Sequence, residues 1–185
     1  MRISDKLLQN NEIWLEGEVT TSEVDKVISL LHIIEQRCTN EDGVINGDVR
    51  LFIAGPGGAI SPALNLANYL KNTPLRVTTV CINTCASASA IIWLAGTRRE
   101  ILPHSRLMFH EVKHFVREDD SYSIEKIKEI YNDLNRLNNN VYKIMSDAIG
   151  KNKKYIKNMI HGKEVWLSAK TALKTGFATL IIDTL

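Results

Sequence analysis

The sequence is poor in the residues and patterns that mark metal-binding, exported and membrane proteins. Cysteine occurs three times, an odd number, and without the paired spacing or histidine cluster of a zinc-finger protein. We therefore expect reduced thiols in a cytoplasmic protein, and no bound metal or other cofactor. No apolar run is long enough for a membrane helix, and the polar opening MRISDKLLQNNE lacks the apolar core of a signal peptide. The sequence thus predicts a protein that is neither exported nor bound to a membrane.

An excess of charge of one sign is also missing. The 23 lysines and arginines nearly balance the 21 aspartates and glutamates, for a formal net charge of +2. Such a balance does not predict the basic face that nucleic acid requires. The 185 residues, of which 44% are hydrophobic, are enough to bury one core. We expect residues 1–185 to form a single domain.

Strand and helix patterns alternate along the chain. Segments with helical apolar spacing follow the capping box Thr20–Glu23 and follow Ser168. Others cover Ile60–Leu70, Ser87–Leu94, Ser123–Ile149 and Lys153–His161. Strand patterns occur at Glu12–Val19, Val49–Ala54, Arg76–Ile82 and Ala178–Ile182, with a strand pair at Glu100–Leu102 and Arg106–His110. This order predicts an α/β fold with a mainly parallel sheet and one long helix.

Three polar or glycine-rich segments are predicted to follow strands: the turn Gly55–Gly58, the turn at Asn83-Thr84 before Ser87, and His110. In parallel α/β sheets, sites gather where strands end, so we expect these segments to converge. Acyl transfer by a serine needs a general base and backbone donors for the oxyanion. Ser87 is the candidate nucleophile and His110 its base, with the amides of Gly58 and Ala88 as oxyanion donors.

Other interpretations of the same residues are weaker. Ser89 would be the nucleophile if the register slipped by two residues, and Cys85 is more typical of a buried, inert thiol. The glycine turn lacks the Lys-Ser/Thr of a phosphate-binding loop. The histidines lack metal-ligand spacing, which agrees with the expectation that no metal is bound.

The stretch VRLFIAGPGGAISPALNLANYLKNTPLRVTTVCINTCASASAIIWLAG resembles the core of the Clp protease proteolytic subunits, with their PGG turn and small-residue serine helix. The later segment LPHSRLMFH is similar to that family's LPxSRxMxH motif and implies that His110 is the catalytic histidine. The resemblance implies an ATP-dependent serine endopeptidase with a spiral α/β fold, shared with crotonases, and a long handle-type helix.

The resemblance continues near the carboxyl terminus, with departures. EVWLSAKTALKTGFATLI resembles the family's acidic-x-aromatic-x-Ser-Ala segment and implies that Glu164 takes the place of the triad aspartate. Glu111, Asp119 and Asp120 are alternative acids. Ala88 replaces the family's Met after the nucleophile, and EVKHFVREDD replaces its Gln-Pro and glycine-rich strand after the histidine.

The resemblance also implies partners. They are peptide or unfolded protein substrates, further copies of the chain in a heptameric or double heptameric ring, and an AAA+ unfoldase. Two other functions stay open from the sequence: a catalytically impaired ring-forming pseudo-subunit, and a crotonase-type acyl-CoA enzyme.

Overall fold

The computed structural model describes residues 10–114 and 121–184, in which strands and helices alternate in the predicted order. The elements are β1 (Glu12–Val19), α1 (Thr21–Arg37), β2 (Asp48–Gly58), α2 (Ile60–Asn72), β3 (Arg76–Ala86), α3 (Ala88–Trp93), β4 (Arg98–Ile101), β5 (Arg106–Phe109), α4 (Ile124–Ile149), α5 (Lys153–Ile160), β6 (Val165–Ser168), α6 (Ala169–Lys174) and β7 (Leu180–Ile181). The predicted α/β fold with a mainly parallel sheet and a long helix is confirmed.

The sheet is organised around β3. Strands β1, β2, β3, β4 and β7 lie side by side in that order and are all parallel. The first half of β3 pairs with β4, and its second half pairs with β5. Strand β6, which the sequence did not predict, runs antiparallel to β5. The sheet therefore divides at the middle of β3.

The predicted pairing of the segments Glu100–Leu102 and Arg106–His110 with each other is wrong. Both segments contain strands, but β4 and β5 each bond β3 and not one another. The intervening turn, closed by the Ser105 amide donating to the Leu102 carbonyl at 3.0 Å, carries the chain forward along β3. It does not reverse the chain as a hairpin turn would.

The turns predicted at Gly55–Gly58 and at Asn83-Thr84 are also wrong, because both segments belong to strands. Strand β2 runs through Gly58 and β3 runs through Ala86. Between Ile53 opposite Cys81 and Gly55 opposite Cys85, two steps along β2 face four steps along β3. The extra residues bulge from β3, and the strand then continues to Ser87.

Helices α1, α2 and α3 bury their predicted apolar faces in the core. Helix α1 begins at Thr20, whose side chain accepts from the Glu23 amide as the capping box predicts, and α3 is buried at every position. Helix α4 is buried only near its carboxyl end, whereas Ile124, Ile127 and Tyr131 are 68%, 55% and 64% exposed. No helix in the described ranges is long and apolar enough to cross a membrane.

A buried hydroxyl fixes α3 to the sheet. The Thr79 hydroxyl on β3 donates to the carbonyl of Trp93 at 2.7 Å, and the Trp93 ring nitrogen donates to the Glu100 carbonyl at 3.0 Å. Both side chains are fully buried. These bonds hold the helix that starts immediately after Ser87.

We expect Thr79→Val to lower the free energy of unfolding by about 1–2 kcal/mol, because it keeps the side-chain shape and removes a buried hydrogen bond. Denaturant titration at fixed protein concentration measures this change. The half-buried neighbour Thr78 is the matched control, and Thr78→Val should change stability by less than about 0.5 kcal/mol. Equal losses in the two variants would contradict the role of the Thr79 hydroxyl.

Candidate active site

Ser87 forms the one-residue junction between β3 and α3. Its backbone has φ 51° and ψ −122°, a positive φ that among the described non-glycine residues only Asn11 shares. The Ser87 amide donates to the Met108 carbonyl at 2.9 Å, and its carbonyl accepts from the Ala90 amide at 3.0 Å. These bonds hold the residue in a conformation that is ordinarily unfavourable. A sharp strand-to-helix junction of this kind exposes a serine hydroxyl at the end of the sheet.

His110 follows β5 directly, and the pairing of β5 with β3 places it next to Ser87. Because Ala86 of β3 lies opposite Met108 of β5, the residues beyond these two strands are brought together. The Ser87 hydroxyl lies 2.9 Å from His110 Nε2. The two residues predicted as nucleophile and base are therefore hydrogen-bonded neighbours.

The second ring nitrogen of His110 determines the tautomer. His110 Nδ1 lies 2.5 Å from the backbone carbonyl oxygen of Glu111. A carbonyl can only accept, so Nδ1 carries the hydrogen and Nε2 is free to accept the Ser87 proton. This tautomer is the one that general-base catalysis by His110 requires.

Glu164 does not occupy the position that the family resemblance implied. It lies just before β6, and its Oε1 accepts from the ammonium group of Lys113 at 3.2 Å. Both side chains are about half exposed. In the parts of the chain that the structure describes, no carboxylate hydrogen-bonds His110, because the Glu111 carbonyl takes Nδ1. A Ser87–His110–Glu164 triad is thus not formed in this structure.

Glu111, the alternative acid within the described residues, does not supply a carboxylate to His110 either. The Glu111 carboxylate accepts from the Tyr142 hydroxyl, from His161 Nδ1 at 3.0 Å and from the Gly162 amide at 3.1 Å. Burial opposes ionisation of Glu111, but these three donors outweigh it and lower the pKa of the carboxyl group. Asp119 and Asp120 lie outside the described residues.

The glycine segment of β2 passes directly beside Ser87. A Cβ atom on Gly57 would lie 2.7 Å from the Cβ of Ser87, and one on Gly58 would lie 2.5 Å from the Val19 carbonyl oxygen. Both glycines have positive φ, 106° and 142°. Only glycine allows this approach, which brings the backbone of Gly58 and Ala88 to one cavity. Their role as oxyanion donors stays a prediction.

The cavity beside Ser87 has a volume of about 600 Å³. Its walls are mostly apolar, and they include Ile60, Ile91, Met108 and Val141. Glu18 and Lys113 are the charged residues of its lining. The site can therefore accept an apolar side chain of a substrate next to the serine hydroxyl.

The remaining sequence candidates are separated from His110. Ser89 is 1% exposed, inside α3. The Cys85 thiol donates to the Ile53 carbonyl at 3.3 Å, and burial raises its pKa, so it does not form a thiolate nucleophile. The described residues contain no group of side chains suited to hold a metal ion.

Sequence reasoning missed Tyr142 and His161, which bond the side chain of Glu111. Tyr142 is 6% exposed in the buried part of α4, and a buried tyrosine hydroxyl needs a hydrogen-bond partner. That requirement is the one signal that could have identified it. No local pattern marks His161, because its partner lies 50 residues away.

Comparison with known proteins extends the similarity over the whole chain. A family model described as Clp protease matches residues 1–185. The ATP-dependent Clp protease proteolytic subunit of Borreliella afzelii is 29% identical over 182 residues, 97% of this chain and 87% of the relative. The ATP-dependent Clp protease proteolytic subunit 1 of Borreliella burgdorferi is 28% identical over 97% of this chain and 88% of the relative. The subunit 1 of Prochlorococcus marinus (strain MIT 9312) is 26% identical over 98% of this chain and 88% of the relative.

The backbone conformation of Ser87 can be tested by comparing two variants that both lack the hydroxyl. Glycine adopts positive φ without steric cost, whereas alanine does not. We expect Ser87→Gly to be more stable than Ser87→Ala by about 1 kcal/mol, the size of the conformational penalty at such positions. Thermal or denaturant unfolding of the two variants at equal protein concentration measures the difference. A Ser87→Gly variant that is less stable than Ser87→Ala would show that the conformation carries no strain.

Proposed function

This chain belongs to the Clp protease family, and from that premise we propose that it is a serine endopeptidase subunit with Ser87 as nucleophile. The observation that carries the proposal is the 2.9 Å contact between the Ser87 hydroxyl and His110 Nε2. Further support comes from the cavity beside this pair. It also comes from relatives named as proteolytic subunits.

The reaction begins with a peptide whose scissile carbonyl lies beside Ser87. The Ser87 oxygen attacks the carbonyl carbon while His110 Nε2 takes the hydroxyl proton. The amides of Gly58 and Ala88 donate to the oxyanion of the tetrahedral intermediate. His110 then gives its proton to the departing amine nitrogen, which leaves an ester on Ser87. Water, activated by His110, cleaves this ester, releases the carboxylate product and restores the serine.

The geometry at His110 Nδ1 favours a second candidate function. Among the described residues, only the Glu111 carbonyl bonds His110 Nδ1. A neutral acceptor stabilises the imidazolium less than a carboxylate does. A ring-forming subunit with impaired catalysis is therefore the alternative to an active peptidase. Among the described residues of the site, no contact favours a crotonase-type acyl-CoA enzyme.

Helix α4 supports assembly into a ring. It is 26 residues long, and its amino-terminal half presents Ile124, Ile127 and Tyr131 to solvent. A contiguous apolar surface on one helix is typical of a protein contact. We include in the proposal a homo-oligomeric ring, heptameric or double heptameric, that acts with an AAA+ unfoldase on unfolded proteins. The relatives named above are ATP-dependent, which supports the unfoldase partner.

A fluorophosphonate reagent tests the nucleophile, since it forms a covalent bond only with an activated serine. We expect the assembled wild type to be labelled on the peptide that contains Ser87, and Ser87→Ala not to be labelled. Ser89→Ala is the matched control and should retain labelling. An unlabelled wild type, or equal labelling of Ser87→Ala, contradicts the assignment. Labelling without peptide hydrolysis would identify the impaired subunit.

The apolar walls of the cavity predict a substrate preference. Of two peptides that differ only in the residue before the scissile bond, the one with leucine should have a kcat/KM at least about tenfold higher than the one with aspartate, because the walls are mostly apolar and the cation of the lining, Lys113, is already paired with Glu164. Steady-state assays with fluorogenic peptides measure the ratio. Equal rates would show that this cavity does not receive that side chain.

A further inference from the structure

The carboxylate of Glu111 joins three segments of the chain beside His110. Its Oε1 accepts from the Tyr142 hydroxyl of α4 and from His161 Nδ1, which lies 3.0 Å away after α5. Its Oε2 accepts from the Gly162 amide at 3.1 Å. The side chain is 23% exposed, so water competes with these donors only in part. The position of residue 111 is thereby fixed from its side-chain end.

The peptide group that follows Glu111 is also held at both of its polar atoms. Its oxygen, the Glu111 carbonyl, lies 2.5 Å from His110 Nδ1. Its nitrogen, the Val112 amide, donates to Asn138 Oδ1 at 2.7 Å. Asn138 and Tyr142 are four residues apart on α4 and therefore share one face of that helix. One helix face thus holds both the side chain of Glu111 and the peptide beyond it.

We propose that the Glu111–Val112 peptide group takes the place of the acid as the third member of the catalytic site. We also propose that the Glu111 side chain, Asn138 and Tyr142 are the positioning residues that aim its carbonyl at His110. This inference rests on the proposed function of Ser87. The carbonyl keeps the hydrogen on Nδ1, directs Nε2 at Ser87, and accepts from the imidazolium that forms during the reaction. These are the tasks of the third residue in a serine triad.

The competing candidate for this position is less well placed. The Glu164 carboxylate is 47% exposed and engaged with Lys113. A hydrogen bond between exposed long side chains orients its members weakly. The Glu111–Val112 peptide, by contrast, needs no side-chain rotation to reach His110, because the contact is already made.

Variants of α4 test this role in the full-length assembled protein. Tyr142→Phe removes one donor to the Glu111 carboxylate, and Asn138→Leu removes the acceptor of the Val112 amide. We expect each to lower kcat for a short peptide about tenfold, equivalent to about 1.4 kcal/mol of transition-state stabilisation, with KM within about twofold of the wild type. The matched controls Tyr155→Phe, at an exposed position of α5, and Asn139→Leu, at an exposed position of α4, should change neither constant.

Variants of Glu111 add a test by conservative replacement. Glu111→Ala removes every side-chain acceptor, whereas Glu111→Gln keeps one amide oxygen, whose two lone pairs can accept from two of the three donors. We expect Glu111→Gln to recover a large part of the kcat that Glu111→Ala loses. Rates are expressed per labelled Ser87, and size-exclusion chromatography reports assembly, so that a misfolded fraction does not enter the comparison.

The outcomes separate this proposal from the function on which it rests. A wild type that neither labels nor cleaves peptides overturns the peptidase function itself. A reactive wild type whose kcat is unchanged in Tyr142→Phe and Asn138→Leu overturns the role of the Glu111–Val112 peptide alone. A larger loss of kcat in Glu164→Gln than in these two variants would also overturn it, because the acid would then be Glu164.

Discussion

The pairing of one strand with two successive neighbours is the constraint on which the rest of the site depends. Strand β3 pairs with β4 along its first half and with β5 along its second half, and it ends at Ala86, directly before Ser87. Since β5 ends just before His110, the same hydrogen bonds that close the sheet bring the serine hydroxyl and the imidazole into contact. The chemistry of this site is therefore a consequence of backbone register more than of any single side-chain contact.

Local patterns predicted the elements well and their ends less well. The capping box at Thr20 and the apolar spacing of Ser123–Ile149 define helices α1 and α4 as expected, because both patterns depend on residues close in sequence. Gly55–Gly58 and Asn83-Thr84 have the composition of turns, yet both lie within strands. There, pairing with neighbouring strands overrides the local preference of those residues. Strand β6 was missed because four residues carry too little periodicity.

The candidate site could be predicted in part for the same reason. Ser87 and His110 belong to motifs that are contiguous in sequence, and their contact follows from the predicted parallel sheet. The environment of His110 Nδ1 depends instead on where α4 and the segment after α5 pack. No local sequence pattern around Glu111 predicts its hydrogen bonds to Tyr142, His161 and Gly162. Glu164 is the opposite case. The motif that contains it implied a contact with His110, whereas in the structure its carboxylate accepts a hydrogen bond from Lys113.

The bulge in β3 has a consequence for how this chain can change in length. Four steps of β3, from Cys81 to Cys85, face two steps of β2, so the strand contains surplus residues shortly before Ser87. Because side chains alternate between the two faces of a strand, deleting one residue there would turn Ser87 toward the opposite face while composition and hydropathy stayed almost the same. Substitutions in this stretch alter packing by degrees, whereas insertion or deletion of a single residue reverses the direction of the hydroxyl. Among homologous sequences, the number of residues between Cys81 and Ser87 is thus a more sensitive indicator of a working site than their identity.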